Sequence, residues 1–169
     1  MTDTDGEISI CVTLSIPCKE YDEWWPFDYK IRLLGEYDDF PIIGKGQGHI
    51  IPNPDNFKEL VDLADAPGQS CYELVAGLDR DLLENEIIFR IITIESMQID
   101  KGYRGKGAGL QAMAALLQFF DGDLVLILPH PLNDSCPEEE IEKVTKKIQK
   151  YWVKCGFKRM GNKKIFYHL

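Results

Sequence analysis

Several things are scarce in this chain, and each scarcity removes a class of protein. Histidines number three, His49, His130 and His168, and they lie far apart in sequence. The five cysteines, Cys11, Cys18, Cys71, Cys136 and Cys155, are dispersed, with no C-x-x-C spacing and no Cys/His pairing. Metal ligation needs such groups at close spacing, so no metal site is expected. An odd, scattered set of cysteines reads as free thiols in a reducing compartment, and a cytoplasmic location is expected. No run approaches the roughly 18 apolar residues of a membrane span. The opening Met-Thr-Asp-Thr-Asp-Gly-Glu lacks the basic and apolar regions of a signal peptide. Basic residues are also few, 19 Lys and Arg against 28 Asp and Glu, for a formal net charge of −9. Nucleic-acid binding needs a basic stripe, and none is visible outside the last predicted helix. Neither a membrane nor a nucleic-acid partner is therefore expected. An acidic protein can attract a cationic small molecule.

What is present is concentrated in residues 97–109, Met-Gln-Ile-Asp-Lys-Gly-Tyr-Arg-Gly-Lys-Gly-Ala-Gly. An apolar strand runs into a loop with glycines at 102, 105, 107 and 109, and an apolar helix follows at once. Backbone N–H groups without side chains in the way can close around phosphate oxygens. The helix N-terminus behind them adds positive potential. A Walker A loop would need Gly-Lys followed by Ser or Thr, but Ala108 follows Gly107. A dinucleotide fingerprint would need G-x-G-x-x-G, but Leu110 follows Gly109.

The spacing that fits is Arg/Gln-Gly-x-Gly-x-Gly/Ala, met as Arg104-Gly105-Lys106-Gly107-Ala108-Gly109, with apolar Ile99 five residues before Arg104. It resembles the pyrophosphate loop of the GNAT N-acetyltransferase superfamily. A second stretch, Tyr151-Trp-Val-Lys-Cys-Gly-Phe157, is similar to that family's late signature, a helix end reading aromatic-x-x-x-Gly-Phe. Gly156 would be the C′ glycine and Phe157 the start of a strand. The buried strand Leu124-Val-Leu-Ile-Leu128 falls between the two. The turn after it, Pro129-His-Pro-Leu-Asn133, resembles a loosely characterised bacterial subgroup.

The resemblance covers residues 87–169. It implies an α/β fold with a mixed, mostly antiparallel central sheet flanked by helices on both faces. Residues 1–169 would form one domain, with 87–169 as the acetyl-CoA-binding half and 1–86 as a divergent acceptor-side half. The chain length suits a single core. The cofactor implied is acetyl-CoA, and the partner is a small-molecule or protein amine, with the protein a monomer or homodimer. Backbone groups of Met97, Gln98 and Ile99 would meet the pantetheine arm and the thioester. Gly105, Lys106, Gly107, Ala108 and Gly109 would carry the pyrophosphate, with Arg104 shaping the loop.

Along the rest of the chain, alternation predicts strands over 8–16, 28–35, 41–51 and 87–99. Gly44-Lys-Gly-Gln-Gly48 has no helix after it and reads as a bulged strand, not a phosphate loop. Helices are expected over 55–65 and 70–78, divided by Pro67-Gly68, and over 107–120. The helix over 107–120 should bury Leu110, Met113, Leu117 and Phe120. Ser135 with Glu138 has capping-box spacing for a last helix, whose stripe is Ile141, Val144, Ile148, Trp152 and Cys155. Two short strands, 157–160 and 164–168, close the chain.

Acetyl transfer needs the amine unprotonated, and a lysine-like amine has a pKa of about 10.4, so a base helps. Strict alternation puts Glu95 on one face with Met97 and Ile99, where desolvation would raise its pKa, and it is the candidate base. The family's usual acid, a Tyr four residues before the late glycine, is here Trp152; adjacent Tyr151 is the candidate in a shifted register. His130 follows the fifth strand, where acceptors would enter. Trp24 and Trp25, near Asp22, Glu23 and Asp28, could stack on a cationic acceptor. A second reading stays open, a module that binds coenzyme A without transferring an acyl group.

Overall fold

The structure is a computed structural model, and it describes residues 8–17, 23–34, 40–54, 56–131 and 137–169. The three strands expected in the first half form as β1 (Ile10–Ser15), β2 (Trp25–Leu33) and β3 (Ile42–Pro52), with β2 beginning three residues before its expected start. The helices α1 (Phe57–Asp65) and α2 (Gln69–Ala76) follow, parted at Pro67-Gly68. Asn56 caps α1 through its side chain, which accepts from the Lys58 amide at 2.9 Å. A short α3 (Arg80–Asn85) was not expected; it buries none of its residues, so no apolar period marks it.

The second half is β4 (Arg90–Ile99), α4 (Ala108–Phe119), β5 (Leu124–Ile127), α5 (Glu138–Lys154), β6 (Lys158–Arg159) and β7 (Phe166–His168). Strand β4 starts later than its apolar run, and Ile87 and Phe89 before it are exposed. The sheet order is β1-β2-β3-β4-β5-β7-β6. Among the described residues only β4 and β5 are parallel, and α4 makes the crossover between them. One core lies under α4 and the end of α5, built on Phe27, Tyr29, Ile92, Ile94, Met113, Leu116 and Trp152. The other lies under α1 and α2, built on Ile51, Leu60, Leu74, Ile91 and Leu126. This mixed, mostly antiparallel sheet between two helical layers is a GNAT-like fold.

One expectation is corrected by the packing. Helix α4 buries Ala108, Ala112, Met113, Leu116 and Phe120, while Leu110 is exposed and Leu117 half-buried. Small alanines let the helix lie close on the sheet, a preference that side-chain size alone hides. Helix α5 starts with Pro137 at its N-cap. Ser135 lies outside the described residues. Its end follows the expectation, with Gly156 at φ 95° and the Phe157 amide returning to the Trp152 carbonyl. Among the described residues, no helix is long and apolar enough to cross a membrane.

Candidate functional site

The parallel pair that α4 bridges is short. Strand β4 pairs with β5 only from Ile91 to Ile94, and then runs on to Ile99 without it. Beyond Ile94 this edge of β4 faces an open cleft of about 870 Å³. Its near wall is Ile94 to Ile99. Its far wall is Leu128, His130 and Pro131, with Tyr151 and Trp152 behind. Backbone donors and acceptors on such an edge can take an extended ligand arm as a strand takes a neighbour.

The glycine loop closes one end of the same cleft. A 3-10 turn, Lys101–Tyr103, leads from β4, and Arg104 donates from Nε to the Ile99 carbonyl at 2.7 Å. The guanidinium thus ties the loop to the strand end. Gly105 and Gly107 have φ of 76° and 82°, where a side chain is strained, and nothing lies within 4 Å of where a Cβ would sit. Gly107 is also the N-cap of α4. Gly105, Gly107, Ala108 and Gly109 all line the cleft, as do Met97, Gln98, Ile99 and Arg104. Of the loop residues expected at the cofactor, Lys106 differs: its ammonium lies over the Tyr103 ring, 5.8 Å from the centroid, and it does not line the cleft. The cleft thus offers what a pyrophosphate with an extended arm requires, a bare backbone cradle at a helix N-terminus continuous with a free strand edge.

Glu95 is where the sequence reading needs most correction. The β3–β4 register passes from Gln47↔Ser96 to Gly48↔Ile94, so Glu95 is an extra residue, a bulge. The parity of β4 reverses there. Ile92 and Ile94 join Met97 and Ile99 on the α4 side, whereas Ile91 and Thr93 face α1 and α2. Strict alternation over 87–99 is therefore broken. The Glu95 carboxylate meets Gln47, whose Nε2 donates at 3.0 Å, and His49, whose Nδ1 stands 3.3 Å from Oε1. That second contact has ion-pair length but lacks hydrogen-bond alignment, and Nδ1 is buried with no other partner among the described residues. Here the electrostatic contact outweighs the missing alignment. The neighbouring His49 holds the Glu95 carboxyl below its usual value, Gln47 adds to this, and burial opposes it. The shift is thus downward, not the upward one that desolvation alone would give. Glu95 still lines the cleft.

The tryptophans separate. Trp24 packs with the α1–α2 core and meets His49 edge-on at 5.1 Å, while Trp25 packs with the α4 core. They do not act as a pair, and neither lines the cleft. His130 does line it, exposed, with Nδ1 2.7 Å from the Pro131 carbonyl oxygen. Tyr151 lines the cleft beside the start of α4. A Cβ on Gly109 would sit 2.5 Å from its hydroxyl. Burial pushes its pKa far up, and the adjacent Cys155 thiol adds to this; burial likewise raises Cys155, to about 11. Trp152 is buried against Phe157. Sequence reasoning missed Gln47 and His49, because their place beside Glu95 depends on a register that alternation does not encode.

No protein-family model matches the chain, and no curated protein matches it in sequence. Solved structures that it is similar to include a tyrosine-to-phenylalanine mutant of KacT, at TM-score 0.46 and 11% identity over 85% of this chain and 70% of that one. Another is a mutant of the AtaT toxin, with the same kind of exchange, bound to acetyl-CoA and the C-terminus of the antitoxin AtaR, at 0.44 and 11% over 93% and 92%. A third is arylalkylamine N-acetyltransferase 2 from Aedes aegypti, at 0.44 and 13% over 76% and 56%. Likenesses this distant concern the course of the chain, and residue roles rest on this chain's own geometry.

Proposed function

We propose that the protein is a member of the GNAT superfamily, an acetyl-CoA-dependent N-acetyltransferase that acts on a primary amine. The observation that carries this reading is the continuity of the free β4 edge with the glycine cradle at the start of α4, in one cleft. Acetyl-CoA would supply an activated acyl carbon. Gly105, Gly107, Ala108 and Gly109 would hold its pyrophosphate, and the backbone of Met97–Ile99 its arm. Residues 1–86 would form the acceptor side of one domain. The acceptor is a small molecule or a protein, in a cytoplasmic monomer or homodimer.

The remaining chemistry falls to side chains. An amine nitrogen attacks the thioester carbonyl, the carbon–sulfur bond breaks, and one proton passes from nitrogen while another reaches sulfur. Glu95 is anionic at neutral pH, since its pKa is lowered. It draws an ammonium in by charge; the ammonium loses a first proton to solvent, the free amine attacks, and Glu95 takes the second proton as the nitrogen bonds to carbon. Tyr151, kept neutral by its raised pKa, holds a proton that it can return to the leaving sulfur. His130 would contact the acceptor from the cleft rim, and Trp24 would act on it only indirectly, by packing against His49 beside Glu95. Trp25, in the other core, takes no part.

The test is thermal unfolding with acetyl-CoA, coenzyme A, ATP and NAD in turn. A ligand that binds the native state must raise the midpoint. Both coenzyme A species should do so and the others should not; then thiol release is followed with a panel of amines. No shift with either coenzyme A species would overturn the reading. A shift without thiol release from any amine would favour a module that only binds coenzyme A, a reading that the buried Trp152 at the usual acid position supports.

A further inference from the structure

The run Gly44-Lys-Gly-Gln-Gly48 has the composition of a phosphate loop, yet it lies inside β3 and does not line the cleft. Its glycines leave room that β2 fills. A Cβ at Gly48 would strike the Phe27 ring, one at Gly46 the Tyr29 ring and hydroxyl, and one at Gly44 would crowd Ile31 and Ile99. Side chains of β2 therefore lie across β3, and Phe27, Tyr29 and Ile31 are buried there. Tyr29 reaches the strand beyond. Its hydroxyl donates to the Ser96 carbonyl at 2.7 Å. Ser96 directly follows Glu95, the extra residue of the bulge. Burial drives the Tyr29 pKa far up, with Tyr151 adding to it, so the hydroxyl keeps its proton.

We propose that Tyr29 is a positioning residue that holds β4 in its bulged form and so aims the 97–99 edge into the cleft. The proposal rests on the coenzyme A reading above. A bulge takes backbone groups out of the regular ladder. A carbonyl turned out of the ladder gains from a donor, and the Tyr29 hydroxyl donates to that of the half-buried Ser96. Without it the regular register gains ground. A slip of one residue turns each following side chain to the other face, Met97 and Ile99 included. The hydroxyl reaches β4 only through the gap that Gly46 leaves, which accounts for that glycine in an otherwise ordinary strand. The cradle from Gly105 to Gly109 lies past Ile99 and is built on the start of α4, with Gly107 as its N-cap, so its shape is set by that helix more than by the register of β4.

Tyr29→Phe keeps the ring and removes the donor. Calorimetric titrations with coenzyme A and with ADP, which has the pyrophosphate but no pantetheine arm, separate the two ends of the cleft. The expected result is coenzyme A affinity at least tenfold weaker and ADP affinity within twofold of the wild type. Equal losses for both ligands, or no loss for either, would overturn the proposal, because a merely structural role does not distinguish them. Should Tyr29→Phe fail to fold in buffer, wild type and variant are both titrated in a stabilising osmolyte such as sucrose; the same split is expected and the same results overturn it. A wild type that binds neither ligand would sink the coenzyme A reading itself, a result distinct from either outcome above.

Discussion

At the scale of single residues, charge at Glu95 follows from its neighbours more than from its burial. A carboxyl whose folded pKa is lowered contributes stability above its unfolded value, about 4.5, and loses it as pH falls through the folded one. Above pH 5 it is ionised, so it imposes no ionisation of its own on the neutral range. The dependence of kcat/KM on pH between 6 and 9 should then follow the acceptor amine. Glu95→Gln should lower kcat by about 10²-fold with the shape of that profile kept and coenzyme A affinity unchanged. A limb near neutral pH that vanishes in the variant would mean that desolvation, not His49, governs the group. Gly107 sets a second expectation. At φ 82° a leucine would cost about 1–2 kcal/mol of stability by strain and would also block the cradle. Gly107→Leu should therefore remain folded in a denaturant titration and lose detectable coenzyme A binding. These loop glycines were legible in the sequence because phosphate cradling demands bare backbone at fixed spacing. His49 and Gln47 were not, because they reach Glu95 across a strand pair.

At the scale of elements, period and alternation were enough for β1, β2, β3, β5 and the body of α5. They failed where tertiary pairing overrides local pattern. In β4 the bulge reverses parity in mid-strand, and no apolar count over 87–99 carries that information, since both halves are apolar. In α4 the buried face combines Ala108 and Ala112 with Met113 and Leu116, while Leu110 is exposed. The parallel junction of β4 and β5 has a device of its own. Arg90, the first residue of β4, makes two bonds to Asp123 just before β5, at 2.9 and 2.7 Å, with Asp123 nearly buried. Pinned at this end, the two strands part at the other, beyond Ile94. Asp123→Asn keeps the size of the side chain and removes the charge. It should cost about 1.5–3 kcal/mol in urea unfolding, the range for hydrogen bonds to charged groups. Coenzyme A affinity should not change, because the pair sits at the opposite end from the cleft. A loss of affinity that exceeds the loss of stability would mean that the opening of the strands is set at this ion pair.

Across the whole molecule, charge of one sign prevails, yet the cleft draws on the other. The chain carries −9, which should repel a ligand as anionic as coenzyme A. Arg104, Lys147 and Lys154 line the cleft, however, against Glu95 and Glu140, and the N-terminus of α4 borders it, so the local balance is positive. Which effect wins is a question of range. At about 0.1 M salt the Debye length is about 10 Å, so the excess of carboxylates on distant faces is screened while cations within the cleft are not. Local charge should therefore decide. Coenzyme A affinity should weaken several-fold as salt rises from 50 to 500 mM, and Lys154→Gln should weaken it at low salt and flatten that dependence. Glu59→Gln, exposed on α1 across the sheet, reduces the net charge by one and should leave affinity unchanged. If instead Glu59→Gln tightens binding as much as Lys154→Gln loosens it, the net charge governs, and the cations of the cleft act only as part of the total. Affinity that rises with salt would point the same way, since screening would then be relieving repulsion by the molecule as a whole.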